Sequence, residues 1–104
     1  MSITIAEPNM SPIHPGEILL EDFLNPLNMT TDQLATELHV PVERIGLIIQ
    51  GQESINADIA LRLGRYFGNG AGIWLRLQTQ YDLETTEAQI GDQIKREIRT
   101  VQAS

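Results

Sequence analysis

TDQLATELHVPVERIGLIIQ, residues 31–50, carries two apolar stripes at helical spacing with a break between them. Thr30 is placed as an N-cap, and Gln33, three residues on, completes a capping-box spacing. Leu34, Ala35 and Leu38 then share one helical face. His39-Val40-Pro41 interrupts the pattern. Proline has no N–H but a helix-compatible φ, so Pro41 suits the first turn of a second helix. Ile45, Ile48 and Ile49 give that helix an inner face, and Gly51 ends it.

Two helices that cross steeply over a short turn need a small residue where their backbones approach, and Ala35 supplies it. The turn needs a residue that tolerates positive φ. His39 stands where glycine is usual and visits that region more often than most side chains. Ile45 and Ile48 are then expected to pack on Leu34 and Leu38. This is the spacing of a helix-turn-helix, with Pro41 to Gln50 in the recognition-helix place. An ordinary αα-hairpin inside a bundle has the same spacing, and spacing alone leaves both open.

Upstream, His14-Pro15-Gly16-Glu17 opens a helix, with Pro15 in the first turn and Glu17 complementing its dipole. Ile18, Leu19, Phe23 and Leu27 are its expected buried stripe, and Asn25-Pro26 ends or kinks it. His14 reads as a capping or structural residue rather than a ligand. Downstream, Ile55 is expected to staple a loop to the core, and Asn56 to cap a helix over Ala57–Phe67. That helix turns Ile59, Ala60, Leu63 and Phe67 inward, and Asp58, Arg62 and Arg65 outward. After Asn69–Gly72, a fifth helix places Ile73, Trp74, Leu77 and Tyr81 on one side, with Trp74 locking it to the bundle. Arg76, Gln78 and Gln80 are expected to face solvent.

The fold class expected is all-α: a five-helix bundle over residues 14–83, after a flexible arm over 1–13 and before a polar tail over 84–104. In the arm, Ile3 and Ile5 flank Thr4 as a weak strand signal, while Pro8 and Pro12 forbid a long helix. In the tail, Ile90, Ile94, Ile98 and Val101 recur at helical spacing. So narrow a stripe either docks on its own domain, a second copy or another protein, or stays disordered.

The 104 residues fit one domain, and 41% hydrophobic residues suffice for one modest core. With no cysteine there is no disulfide frame or thiolate metal site. No apolar run approaches the roughly 20 residues of a membrane span, and MSITIAEPNM lacks a signal peptide's basic region, so a cytoplasmic protein is expected. Two histidines in separate elements and no Ser/His/Asp pattern leave nothing to build an enzyme, a metal site or a cofactor site. The net charge of −7 is unevenly spread. Arg44 is the only Lys or Arg before Arg62, and Lys95, Arg96 and Arg99 cluster near the end. An acidic face suits a basic protein partner, or simply keeps a small protein soluble.

Four stretches now matter together: HPGEIL (His14–Leu19), the helix-turn-helix with its Gly51, INADIALRLGRYFG (Ile55–Gly68) and WLRLQTQYDL (Trp74–Leu83). In this order and spacing, over about two-thirds of the chain, they resemble the HigA/VapI-type antitoxins. These are a branch of the lambda-repressor-like (XRE) helix-turn-helix proteins. The resemblance implies a five-helix bundle, usually a homodimer. It also implies a small basic, ribosome-dependent mRNA-cleaving toxin of the HigB (RelE-like) kind as partner. Such antitoxins neutralise the toxin and repress their own operon at a palindromic, double-stranded operator. A stand-alone regulator of the same family, with no toxin, is the alternative.

The motif's geometry sends Val42, Glu43 and Leu47 to base edges. Val42 or Leu47 suits a thymine methyl, and Glu43 suits the cytosine N4 donor. Thr31, Arg44, Gln50 and Gln52 are placed for phosphate contacts, with Pro41 at the helix entrance. The base-reading positions hold no Arg, Gln or Asn of strong direct readout. Operator binding is therefore expected to be weak or to need the toxin as co-repressor.

Overall fold

Three helix starts in this chain are set by side chains that accept the first free amide hydrogens. His14 Nδ1 accepts from the Gly16 N–H at 2.9 Å, Thr30 Oγ1 from Gln33 at 3.0 Å, and Asn56 Oδ1 from Ile59 at 3.0 Å. Gln33 returns the bond to the Thr30 N–H at 2.8 Å, closing the capping box. The structure, a computed structural model, describes residues 11–101. The Ile3–Ile5 strand signal and most of the expected arm lie outside the described residues.

Between these starts run five helices. They are α1 (Pro15–Ile18, continued by a π-helical segment, Leu19–Leu24), α2 (Thr31–Leu38), α3 (Val42–Ile49), α4 (Ala57–Phe67) and α5 (Ala71–Glu97). No strand occurs among the described residues. The all-α bundle read from the sequence is the one observed. Leu19, Leu24, Leu34, Leu38, Ile45, Ile48, Ile55, Ile59, Leu63 and Trp74 bury together as one core.

Helix ends follow from left-handed residues. His39 adopts φ 59°, ψ 46°. The bonds from Val40 N–H to Ala35 O and from His39 N–H to Thr36 O then form a Schellman end for α2. Gly51, at φ 77°, gives α3 the same end through Gln52 N–H to Leu47 O and Gly51 N–H to Ile48 O.

Three residue placements are corrected. Leu27, placed in the buried stripe of the first helix, is 59% exposed. The helix closes with one π-type bond, Asn25 to Leu20, and then a Schellman end at left-handed Asn28, with Asn28 bonding to Asn25 and Met29 to Leu24; Leu24 takes the core position instead. Gln78, placed facing solvent, is only 5% exposed, because the loop after α3 brings it a backbone N–H to bind. Pro41 is not in the first turn of α3 but caps it, with extended backbone at ψ 141°. The expected division at 83/84 falls inside α5, which runs on unbroken to Glu97.

Candidate nucleic-acid interface

α3 is held from behind. Ile45 and Ile48 are wholly buried, and Ala35 of α2 is buried in the same core. α1 comes so close that a Cβ added at Gly16 would stand 1.8 Å from the Ile48 carbonyl oxygen. The opposite side of α3 is open. Val42 is 37% and Leu47 39% exposed, and Pro41, Glu43, Gln50 and Gln52 are exposed with them. Thr31, at the start of α2, is half-buried. The eight candidate residues thus lie on α3, its cap, the residues just past its C-terminus and the α2 N-terminus.

A second group of side chains sets the loop that follows α3. Gln78 of α5 accepts from the Ile55 N–H at 2.8 Å and donates to Asp82 at 3.0 Å. His14 stacks edge-on against Tyr81 at 4.8 Å, and the backbone of Glu53 lies near its ring. Because Nδ1 accepts from Gly16, Nε2 carries the proton of the neutral ring. Burial lowers the His14 pKa, against the opposing pull of Asp82 and of the Glu53 backbone. α1, the post-α3 loop and α5 are therefore pinned at one point. On the other flank, Arg62 Nη1 donates to Leu38 O at 2.7 Å and ties α4 to the end of α2, while its Nε pairs with Asp58 at 2.6 Å.

The electrostatics of the face are unusual for a DNA reader. Its one cation, Arg44, stands with Nε 3.2 Å from Oε2 of Glu53. The pair is not aligned as a hydrogen bond, and that Nε is buried without a hydrogen-bond partner. Asp32, Glu37 and Glu43 are exposed on α2 and α3. Chemically, the face offers apolar and acceptor groups to base edges, and hydroxyl, amide and backbone donors to phosphates. Among the described residues, no group of three or more His, Asp and Glu side chains converges as a metal site. No helix among them is long and apolar enough to cross a membrane.

The sequence shows the inner side of α3, Ile45 and Ile48, but not the contacts that α1 and α5 make behind it and beside it. A glycine in the first turn of a helix was the available sign of close approach at Gly16. Nothing local marked Gln78 or Glu53, whose partners are distant in sequence or across a turn.

No family model matches the chain. Virulence-associated protein I of Dichelobacter nodosus is 49% identical over 87 residues, which span 84% of this chain and 81% of that protein. Among solved structures, the fold is similar to Pseudomonas aeruginosa antitoxin HigA, determined with the higBA promoter. That match has 43% identity and a TM-score of 0.85, covering 88% of this chain and 99% of the other. Antitoxin GraA in complex with its operator is 36% identical with a TM-score of 0.85, over 95% of this chain and 100% of that one.

Proposed function

Since the chain belongs to the HigA-type antitoxins of the lambda-repressor-like helix-turn-helix family, we propose that it neutralises a small basic mRNA-cleaving toxin and represses its own operon. The observation that carries the DNA-binding half is the two-sidedness of α3: Ile45 and Ile48 wholly buried, Val42, Glu43 and Leu47 open to solvent. A helix so held can enter a major groove without unpacking the core. Val42 and Leu47 meet thymine methyls and Glu43 accepts from cytosine N4, while Thr31, Gln50, Gln52 and Arg44 fix register on the phosphates. With so few cations, one subunit binds weakly, and a second copy on the other half-site supplies the missing affinity. The relatives solved on a promoter and on an operator support this reading. Acidic side chains over α1 and α2 (Glu17, Glu21, Asp22, Asp32 and Glu37) favour a basic protein partner.

The test is duplex binding to the chain's own promoter region, with and without the product of the neighbouring reading frame, at stated salt. The expected result is weak binding that tightens with the neighbour, and co-purification of the two proteins. If the neighbour neither co-purifies nor loses toxicity on co-expression, the antitoxin role fails and a toxin-free regulator remains. If replacing Val42, Glu43 and Leu47 by alanine leaves sequence preference unchanged, base readout by α3 fails.

A further inference from the structure

We infer that Glu53 acts as an internal stand-in for a DNA phosphate, holding Arg44 until the duplex backbone displaces it. It thereby sets how tightly, and with what salt dependence, this face binds DNA. The inference rests on the DNA-binding reading above and adds an affinity-setting residue to it.

Arg44 is the only Lys or Arg in the first 61 residues, so it is the one full positive charge the helix-turn-helix can offer a phosphate. It lies in the first turn of α3, and Glu53 lies three residues beyond the α3 C-cap, Gln50. The two side chains meet along the flank of α3, each about one-third exposed, at 30% and 37%. Glu53 is anchored through its backbone. Its N–H donates to Leu47 O at 3.2 Å, and the His14 ring lies near its backbone. Arg44 is held less well. Its Nε stands at 3.2 Å without hydrogen-bond alignment and has no other acceptor. A partly exposed, poorly aligned ion pair is weak. A phosphate oxygen that reaches this flank offers Arg44 a better acceptor and a charge-assisted bond.

The exchange has an ionic signature. A cation that meets a phosphate releases a counterion from the duplex. Here the same step strips Glu53 of its partner, and the bared carboxylate draws a cation from solution. Release and uptake offset each other, so Arg44 contributes less to affinity and salt dependence than an unpaired arginine would.

The experiment measures binding of the full chain to two duplexes, one from its own promoter region and one of random sequence, across a salt series. The variants are Glu53→Gln, Arg44→Met and the two together. Circular dichroism melting checks that each is folded. Glu53→Gln is expected to bind both duplexes several-fold more tightly, with a log–log salt slope steeper by about 0.9. The gain is equal on both because a phosphate contact carries no sequence information. In the Arg44→Met background the gain and the added slope disappear. Weaker binding by Glu53→Gln would overturn the inference, since Glu53 would then be aiming Arg44 at the DNA. A gain that persists with Arg44→Met would also overturn it, as simple removal of repulsion. If no variant binds either duplex at low salt, the DNA-binding reading fails and this inference falls with it.

Discussion

His39 shows how one residue can serve a turn at a cost. It holds the left-handed conformation that ends α2, and its side chain is exposed. Glycine in that conformation escapes the penalty that any Cβ incurs, less its greater freedom in the unfolded chain. His39→Gly is therefore expected to raise stability by up to about 1 kcal/mol, read from urea unfolding. His14 makes the opposite kind of commitment. Its folded pKa is lowered from 6.5, chiefly by burial. The unfolded chain thus takes up this proton more readily than the folded protein. The stability tied to neutral His14 is full above the unfolded value and is lost as pH falls from there toward the folded value. Protonation would also end the bond that Nδ1 accepts from Gly16. Melting temperatures taken at about pH 7.5 and about pH 5.5 should fall less for His14→Asn than for the wild type. An equal fall would show that carboxylates elsewhere set the acid response.

Among helical elements, two glycines separate close packing from spare room. A Cβ at Gly16 would collide with the Ile48 carbonyl, which is backbone and cannot step aside. Gly16→Ala is expected to cost about 3 kcal/mol or more and to loosen α3 from α1. Gly46, inside α3, has no atom within 4 Å of an added Cβ. Gly46→Ala should instead stabilise the protein by about 0.5–1 kcal/mol through helix propensity. Chemical denaturation of the two variants side by side checks both signs. The boundaries of α2, α3 and α4 were legible because each is written locally, in Thr30 with Gln33, in His39, in Gly51 and in Asn56. The end of α1 was not. Pro26 marked an interruption, but not the π-type turn at Asn25 or the left-handed Asn28 that leave Leu24 inside and Leu27 outside.

At the scale of the whole molecule, the described residues form an elongated body, 55 × 33 × 23 Å, in which α5 is the longest element at 27 residues. The first part of α5 is anchored by buried Trp74 and Gln78, whereas Ile90 and Ile94 remain 41% exposed, with Leu83 more so. An apolar stripe on a projecting helix is a natural seat for a second copy or the toxin. Replacing Ile90 and Ile94 together by serine should leave the melting temperature of the isolated subunit nearly unchanged. It should abolish self-association in sedimentation analysis, or capture of the toxin. Retention of both would place those interfaces elsewhere.

By itself, the sequence determined where α2, α3 and α4 lie and which face of α3 turns inward, because caps, left-handed turn residues and a period of 3.6 act over a few neighbours. It also determined that the opposite, outer face would be short of cations. Only the tertiary structure decided what α3 leans on and what its arginine touches. Gly16 against Ile48, Gln78 against the Ile55 amide and Glu53 against Arg44 are pairings between separate segments. Buried backbone amides must find an acceptor wherever the fold brings one, and charges pair with whatever the fold sets beside them. Neither partner's identity is written in the residues next to it.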